Sequence, residues 1–229
     1  MAIVRESNVS FQRWNDFQGV VNQMISNGIY HRLARIHTNM QHRMHGGWHG
    51  NVGVQRFLPW HRAYLIAFER ELRKIDDTLS LPYWDWENDG GQLVGFVNFL
   101  AISSGRNTGQ PLGPANRPWF FNTKQAQDLE NSNASYLSFS DDLEIWPHNV
   151  GHIWIGGDMA TMSSPNDIAF WLHHAAIDRL WARWQTNNPG KRAVLSEVDE
   201  KLDPWGHEFT VDNIDDISGL GGTDSYSYT

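Results

Sequence analysis

The sequence predicts a mainly α protein with long irregular connections, and three observations lead there. Apolar residues recur at helical spacing in separate stretches before residue 76 and again after residue 165. The span 87–146 between them is rich in Gly, Asn, Ser and Pro, the composition of loops. No internal repeat or low-complexity tract interrupts the chain. With 229 residues, 40% of them hydrophobic, the chain can bury one large core, and it is read as a single domain over residues 1–229.

Taken in order, "FQRWNDFQGVVNQMISN" (11–27) sets Phe11, Trp14, Phe17, Val21, Met24 and Ile25 on one helical stripe, which Gly28 ends. A second helix is expected from Ile29 to about Met40. A third opens at "LPWHRAYLIAFERELRKI", with Pro59 near its first turn and His61, Tyr64, Leu65, Phe68, Leu72 and Ile75 on one face. "LPYWDW" (81–86) leaves that helix at Pro82. A short helix carries "HNVGHIWI" up to Gly156-Gly157. The last strong helix follows Ser164-Pro165 and stops at "NNPG" (187–190), and the tail from 191 has little periodicity.

Composition narrows the chemistry. The net charge is −8 and the 18 Lys and Arg form no block, which argues against nucleic acid and against an anionic membrane surface as partners. No apolar run approaches the roughly 18 residues of a membrane span, and "MAIVRESNVS" has no apolar signal segment. The expectation is a cytoplasmic chain, or one exported only with a partner. Cysteine is absent, so disulfides, thiolate metal sites and cysteine nucleophiles are excluded. Against that stand 11 His and 12 Trp; a tightly held transition metal would have to rest on imidazole and carboxylate.

The histidines are patterned. His148 and His152 are four apart and share a helix face, a metal-pair spacing. A zinc-protease motif would need Glu where Asn149 stands, which weakens that reading. His61 and His37 each lie on the apolar face of a predicted helix. Adjacent histidines at 173 and 174 point about 100° apart, so both can hardly serve one site. His174 and Asp178 share a face; Asp178 either orients a ligand ring or forms a buried salt bridge. Inward imidazoles from several helices are how bundles build metal sites, and a histidine-only set favours two coppers over two irons.

"FLPWHRAYLIAFEREL", "LPYWDW", "HNVGHIWIGGDM" and "SPNDIAFWLHHAAIDRLW", in that order, resemble the tyrosinase family of type-3 copper proteins, and most of all its small bacterial members. The resemblance runs from about Arg5 to the "YSY" at 226–228. It implies a four-helix bundle around two copper ions, each on three histidines, with O2 as co-substrate and phenolic small molecules as substrates. By that resemblance "YHRLARIHTN" gives His37 and "FLPWHR" gives His61 for the first copper. "PHNVGH" gives His148 and His152, and "FWLHHAAID" gives His174, for the second, leaving His173 and Asp178 to support the ligands. The family's remaining first-copper ligand sits nine residues before the His of "FLPWHR", where this chain has Val52. His49, in "GGWHGNVG", is the expected substitute, with His45 and then His42 competing. The resemblance also implies a proton-handling pair, Glu144 of "LEIW" and Asn149, and a substrate-facing rim at Ala160 and Met162, with Asn149 beside it. His31 and His207 read as surface residues. The implied activity is hydroxylation of monophenols to o-diphenols and oxidation of these to o-quinones, with a copper-delivery partner protein as the implied macromolecular contact. The rivals are a catechol or o-aminophenol oxidase, an O2 carrier, and an unrelated zinc hydrolase.

Overall fold

The computed structural model describes residues 3–7, 9–88, 98–106, 123–220 and 224–229. Helix α1 (Phe11–Ser26) is capped by the Ser10 hydroxyl, which accepts from the Arg13 N–H, and it buries Trp14, Phe17, Val20, Val21 and Met24. Gly28, at φ +77°, turns the chain into α2 (Ile29–Ile36), a conformation glycine adopts without a Cβ clash. α2 stops at Ile36 rather than running to Met40. His37 closes it, and a single 3-10 turn over Met40–His42 follows, capped by the Asn39 side chain.

Helix α3 (Gly46–Ile75) is longer than expected: it starts well before Pro59, which is interior. Gly50, at φ +56° and ψ −147°, breaks it into a short first turn and a long continuous helix. A proline inside a helix leaves the carbonyl four residues back without its N–H donor. Here that carbonyl belongs to Gln55, and the Tyr136 hydroxyl donates to it at 3.2 Å; the Ser140 hydroxyl donates to the adjacent Val54 carbonyl at 2.6 Å. Both donors lie on α5 (Tyr136–Leu143), so the proline is compensated by a neighbouring helix.

Among its described residues, the span read as irregular therefore contains two helices, α4 (Thr123–Glu130) and α5. A π-helical turn (Glu144–His148) joins α5 to α6 (Asn149–Ile155). Helix α7 (Ile168–Asn187) is capped by Asp167, which accepts from the Ala169 N–H at 2.8 Å and pairs with Arg106 at 2.6 Å. α7 is buried nearly all round, with Ile168, Trp171, His174, Ile177 and Trp181 all within the core, so it runs through the middle of the molecule. α3 packs on it, and α2 and α6 flank the pair. This is the mainly helical bundle expected.

Periodicity along the chain predicts no strands, yet two short ones form. Three-residue β1 (Ile3–Arg5) and β2 (Tyr226–Tyr228) pair in parallel, with Ile3 opposite Tyr226 and Arg5 opposite Tyr228. They deliver Arg5, Tyr226 and Tyr228 to a buried ionic cluster centred on Asp178 of α7. Arg62 Nε donates to Asp178 at 2.6 Å, both tyrosine hydroxyls donate at 2.6 Å, and Arg5 reaches it at 3.4 Å while pairing with Glu69 at 2.8 Å. The Arg62 guanidinium also stacks on Trp181, 3.5 Å from the ring centroid. Among the described residues, no helix is long and apolar enough to cross a membrane.

Candidate dinuclear metal site

Six buried histidines gather into two triads between these helices: His37, His45 and His61, and His148, His152 and His174. Within each triad one ring nitrogen from every histidine lies within 4.8 Å of the others. The second nitrogen of most rings is spoken for. His37 Nδ1–H donates to the Met162 carbonyl (3.0 Å), His61 Nδ1–H to the Phe57 carbonyl (2.7 Å) and His152 Nδ1–H to the Met159 carbonyl (2.6 Å). His148 Nδ1 lies 3.2 Å from the Glu144 carbonyl and 3.1 Å from Asn149 Oδ1, and His45 Nδ1–H donates to the Glu144 carboxylate at 3.1 Å.

These outward bonds fix the tautomer, because a carbonyl can only accept. Each Nε2 is then a bare lone pair pointing inward. His37 Nε2 faces His45 Nε2 at 3.3 Å and His61 Nε2 at 3.4 Å, so three acceptors converge with no proton among them. In the second triad His152 Nε2 lies 3.2 Å from His174 Nε2, and His148 Nε2 is buried without a hydrogen-bond partner. Protonation is a poor remedy: burial, then the neighbouring imidazoles, lowers the His37 pKa to about 3 and pushes His61, His148, His152 and His174 well below their ordinary values. Neutral imidazoles with converging lone pairs suit a transition-metal cation at each triad.

The triads share a wall. His61 and His174 stack at 4.3 Å between ring centroids with 16° between their planes. Phe57 packs against His61, His148 and His45, while Phe170 packs against His174, His37 and His152. Each phenylalanine stands one helical turn before a histidine of a triad, as F-x-x-x-H in both α3 and α7, a spacing not singled out from the sequence alone.

The structure brings His45, not the expected His49, into the first triad. The cause is close packing by glycine. A Cβ on Gly53 would lie 2.1 Å from the His45 carbonyl oxygen, and one on Gly46 would lie 2.4 Å from Val54 Cγ2. With neither present, the backbone at His45 lies directly against α3, and the Gly46 N–H donates to the Glu144 carboxylate at 3.0 Å. His45 is 6% exposed and aimed at the site. His49 is half-buried, a turn further on, where Arg43 is among its electrostatic neighbours, and it joins neither triad. His42, the other competitor, stacks on Trp60 at 5.5 Å.

The remaining expected residues fall as follows. His173 is fully buried outside both triads, and its Nε2–H donates to the His148 carbonyl at 3.0 Å. Asp178 is a turn beyond His174 and binds Arg62, the residue after His61, so it ties α7 to α3 rather than touching a ligand ring. Glu144, Asn149, Ala160 and Met162 all line one cavity of about 600 Å³ that reaches His37, His45, His148 and His152. Its wall adds Trp48, Asp141, Ile145 and Ile153, none of which a motif marks as a site residue in the sequence. His31 and His207 are exposed, as expected.

Comparison with known proteins agrees with this geometry. The family model described as the common central domain of tyrosinase matches residues 27–111 and 105–187. The chain is 31% identical to a tyrosinase from Streptomyces glaucescens over 69% of its own length and 75% of that protein's. It is 30% identical to one from Streptomyces galbus over 82% and 87%. A solved polyphenol oxidase from Grenache (Vitis vinifera) superposes with a TM-score of 0.75 over 100% of this chain and 85% of the other, at 20% identity, which speaks for the fold alone. This chain therefore belongs to the tyrosinase family, and its two buried histidine triads fit the two copper ions with which that family handles O2.

Proposed function

We propose that the chain hydroxylates monophenols to o-diphenols and oxidises o-diphenols to o-quinones, with His37, His45 and His61 holding one copper and His148, His152 and His174 the other. The coppers, when bound, supply the activation of O2. The protein holds the ligands, shapes the cavity and handles the phenol's proton. The observation that carries the reading is an acid on the cavity wall at the junction of the triads. Glu144 accepts from the His45 ring and lies within one π-helical turn of His148, and Asn149 beside it also faces the cavity. A phenol with a pKa of about 10 must lose its proton to be hydroxylated, and Glu144 is the group placed to receive it, with the Asn149 amide to orient a water. Ala160 and Met162 form the wall against which the phenol ring packs. An accessible cavity of this size speaks against an O2 carrier, which needs a shielded site.

A second reading, an oxidase of catechols or o-aminophenols without useful hydroxylation, draws on one observation. The Glu144 carboxylate already accepts from the His45 ring and the Gly46 N–H, so it can serve to orient a ligand rather than to take a proton. The test is kcat/KM for a phenol and its matching catechol, with copper content verified. Glu144→Gln and Asn149→Leu are expected to lower the rate on the phenol at least about tenfold more than on the catechol, equivalent to about 1.4 kcal/mol of selective transition-state stabilisation. A wild type that oxidises the catechol but never hydroxylates the phenol selects the second reading, whereas equal losses on both substrates leave Glu144 and Asn149 only a structural role.

A further inference from the structure

Among the described residues, the mouth of the cavity carries charge of one sign only. Asp141, on the last turn of α5, is exposed and lies three residues before Glu144, so both carboxylates face the same opening. Among the described residues, no Lys or Arg lines this cavity and Asp141 makes no ion pair. On the wall of the same cavity Trp48 is 61% exposed, its ring edge-on to His45 at 5.4 Å. Ile145 and Ile153 complete the opening at 52% and 72% exposed. A cavity lined by an exposed tryptophan and two carboxylates is a favourable place for an ammonium group, by cation–π and Coulomb attraction together, and an unfavourable one for a carboxylate.

We infer that this opening selects substrates by charge: phenols and catechols whose ring substituent ends in an ammonium group are preferred, neutral apolar ones follow, and carboxylate-bearing ones are disfavoured, with Asp141 and Trp48 as the determinants. The inference rests on the proposed phenol-oxidising function. A ring seated against Ala160 and Met162 would direct a para substituent outward to this rim. The acid that handles the phenolic proton lies deeper, held by His45 and Gly46. Asp141 is free of that work and acts on the substituent alone.

The test uses the copper-loaded enzyme at pH 7 with three catechols of matched length at the 4-position: a 2-aminoethyl, a propyl and a 2-carboxyethyl substituent. The order of kcat/KM is expected to be cation, neutral, anion, with about threefold to tenfold per step, residing mainly in KM and collapsing in high salt as surface electrostatics do. Asp141→Asn should cut the cation-to-anion ratio by at least about threefold, Asp141→Lys should reverse it, and Trp48→Leu should weaken the cation selectively. A ratio near one in the wild type, or a ratio that Asp141→Lys leaves in place, overturns the charge selection while the neutral catechol still reports phenol oxidation. If the neutral catechol is not oxidised either, the functional reading itself fails and this inference with it.

Discussion

At the scale of single residues, the place of a histidine is decided by what its second nitrogen can bond. Five of the six rings have an oxygen waiting on the outer side, so the inner lone pair is fixed before any metal arrives. His45 is the sharpest case, because its orienting acid comes from a residue 99 positions away. His45→Ala is expected to lower copper from two per chain toward one and activity by more than the roughly hundredfold that loss of an outer partner costs. His49→Ala should keep both coppers and stay within about 0.5 kcal/mol of wild-type stability. Copper analysis and a denaturation curve on each variant decide it; loss of copper in His49→Ala alone would return that residue to the site. His37, His61, His148, His152 and His174 were legible in the sequence because each sits on or at the end of a periodic helix within an ordered motif. His45 was not. It lies in a glycine-rich turn whose path depends on the absence of side chains at Gly46 and Gly53, and periodicity carries no information about that.

At the scale of elements, the bundle holds the second triad through the contact of α6 with α7. Gly151 of α6 lies between His152 on the same helix and His148 at the end of the π turn, and a Cβ there would fall 2.4 Å from the Cε1 of His173. That imidazole cannot easily retreat: it is fully buried, near Trp84 and Trp86, and bonded to the His148 carbonyl. Gly151→Ala should therefore overpack the joint, costing about 1–3 kcal/mol and weakening copper binding at the second triad. His173→Ala opens room for the methyl group, so the double variant should be more stable than the sum of the two single losses. Additive losses in thermal unfolding would show that the two positions do not touch. The helices themselves were unevenly readable. α1, α6 and α7 follow their apolar spacing and caps. α5 has its own signal, Tyr136, Phe139 and Leu143 behind the Ser135 cap, but it is short and set among loop residues. α4 buries only Ala126 and Glu130, which leaves almost no amphipathic pattern to detect. Pro59 looked like a helix start because the hydroxyls that relieve it come from α5, a partner invisible along the sequence.

At the scale of the whole molecule, the chain is closed by charge as well as by apolar packing. The two strands pair residues more than 220 positions apart, and short strands so separated leave no local trace in the sequence. Their effect is to bring Arg5, Tyr226 and Tyr228 to Asp178, which also binds Arg62 beside His61. The registers of α3 and α7, and with them the relative heights of His61 and His174, are thereby tied to both ends of the chain. Removing one member of such a cluster strands the others in a dry interior. Asp178→Asn is expected to cost about 3–5 kcal/mol at neutral pH. The pH dependence separates this from the histidines. Burial alone would raise the Asp178 pKa, but Arg62, Arg5 and the tyrosine hydroxyls more than offset it and hold the group below its ordinary value. Its contribution is then complete above the unfolded pKa of about 3.9 and is lost as the pH falls toward the lower native value. The buried imidazoles, His37 at about 3 among them, act in a higher window: the unfolded chain takes up protons below about 6.5 while the folded one resists, so stability declines from there downward. The copper-free wild type should therefore lose stability continuously from about pH 6.5 downward, and more steeply below about pH 4, where the Asp178 carboxylate adds to the imidazoles. Asp178→Asn should keep the decline that begins near about pH 6.5 and lose the added steepness below about pH 4, in urea midpoints measured across that range. A variant as steep as the wild type below about pH 4 would show that the acid-sensitive carboxylate lies elsewhere in the molecule.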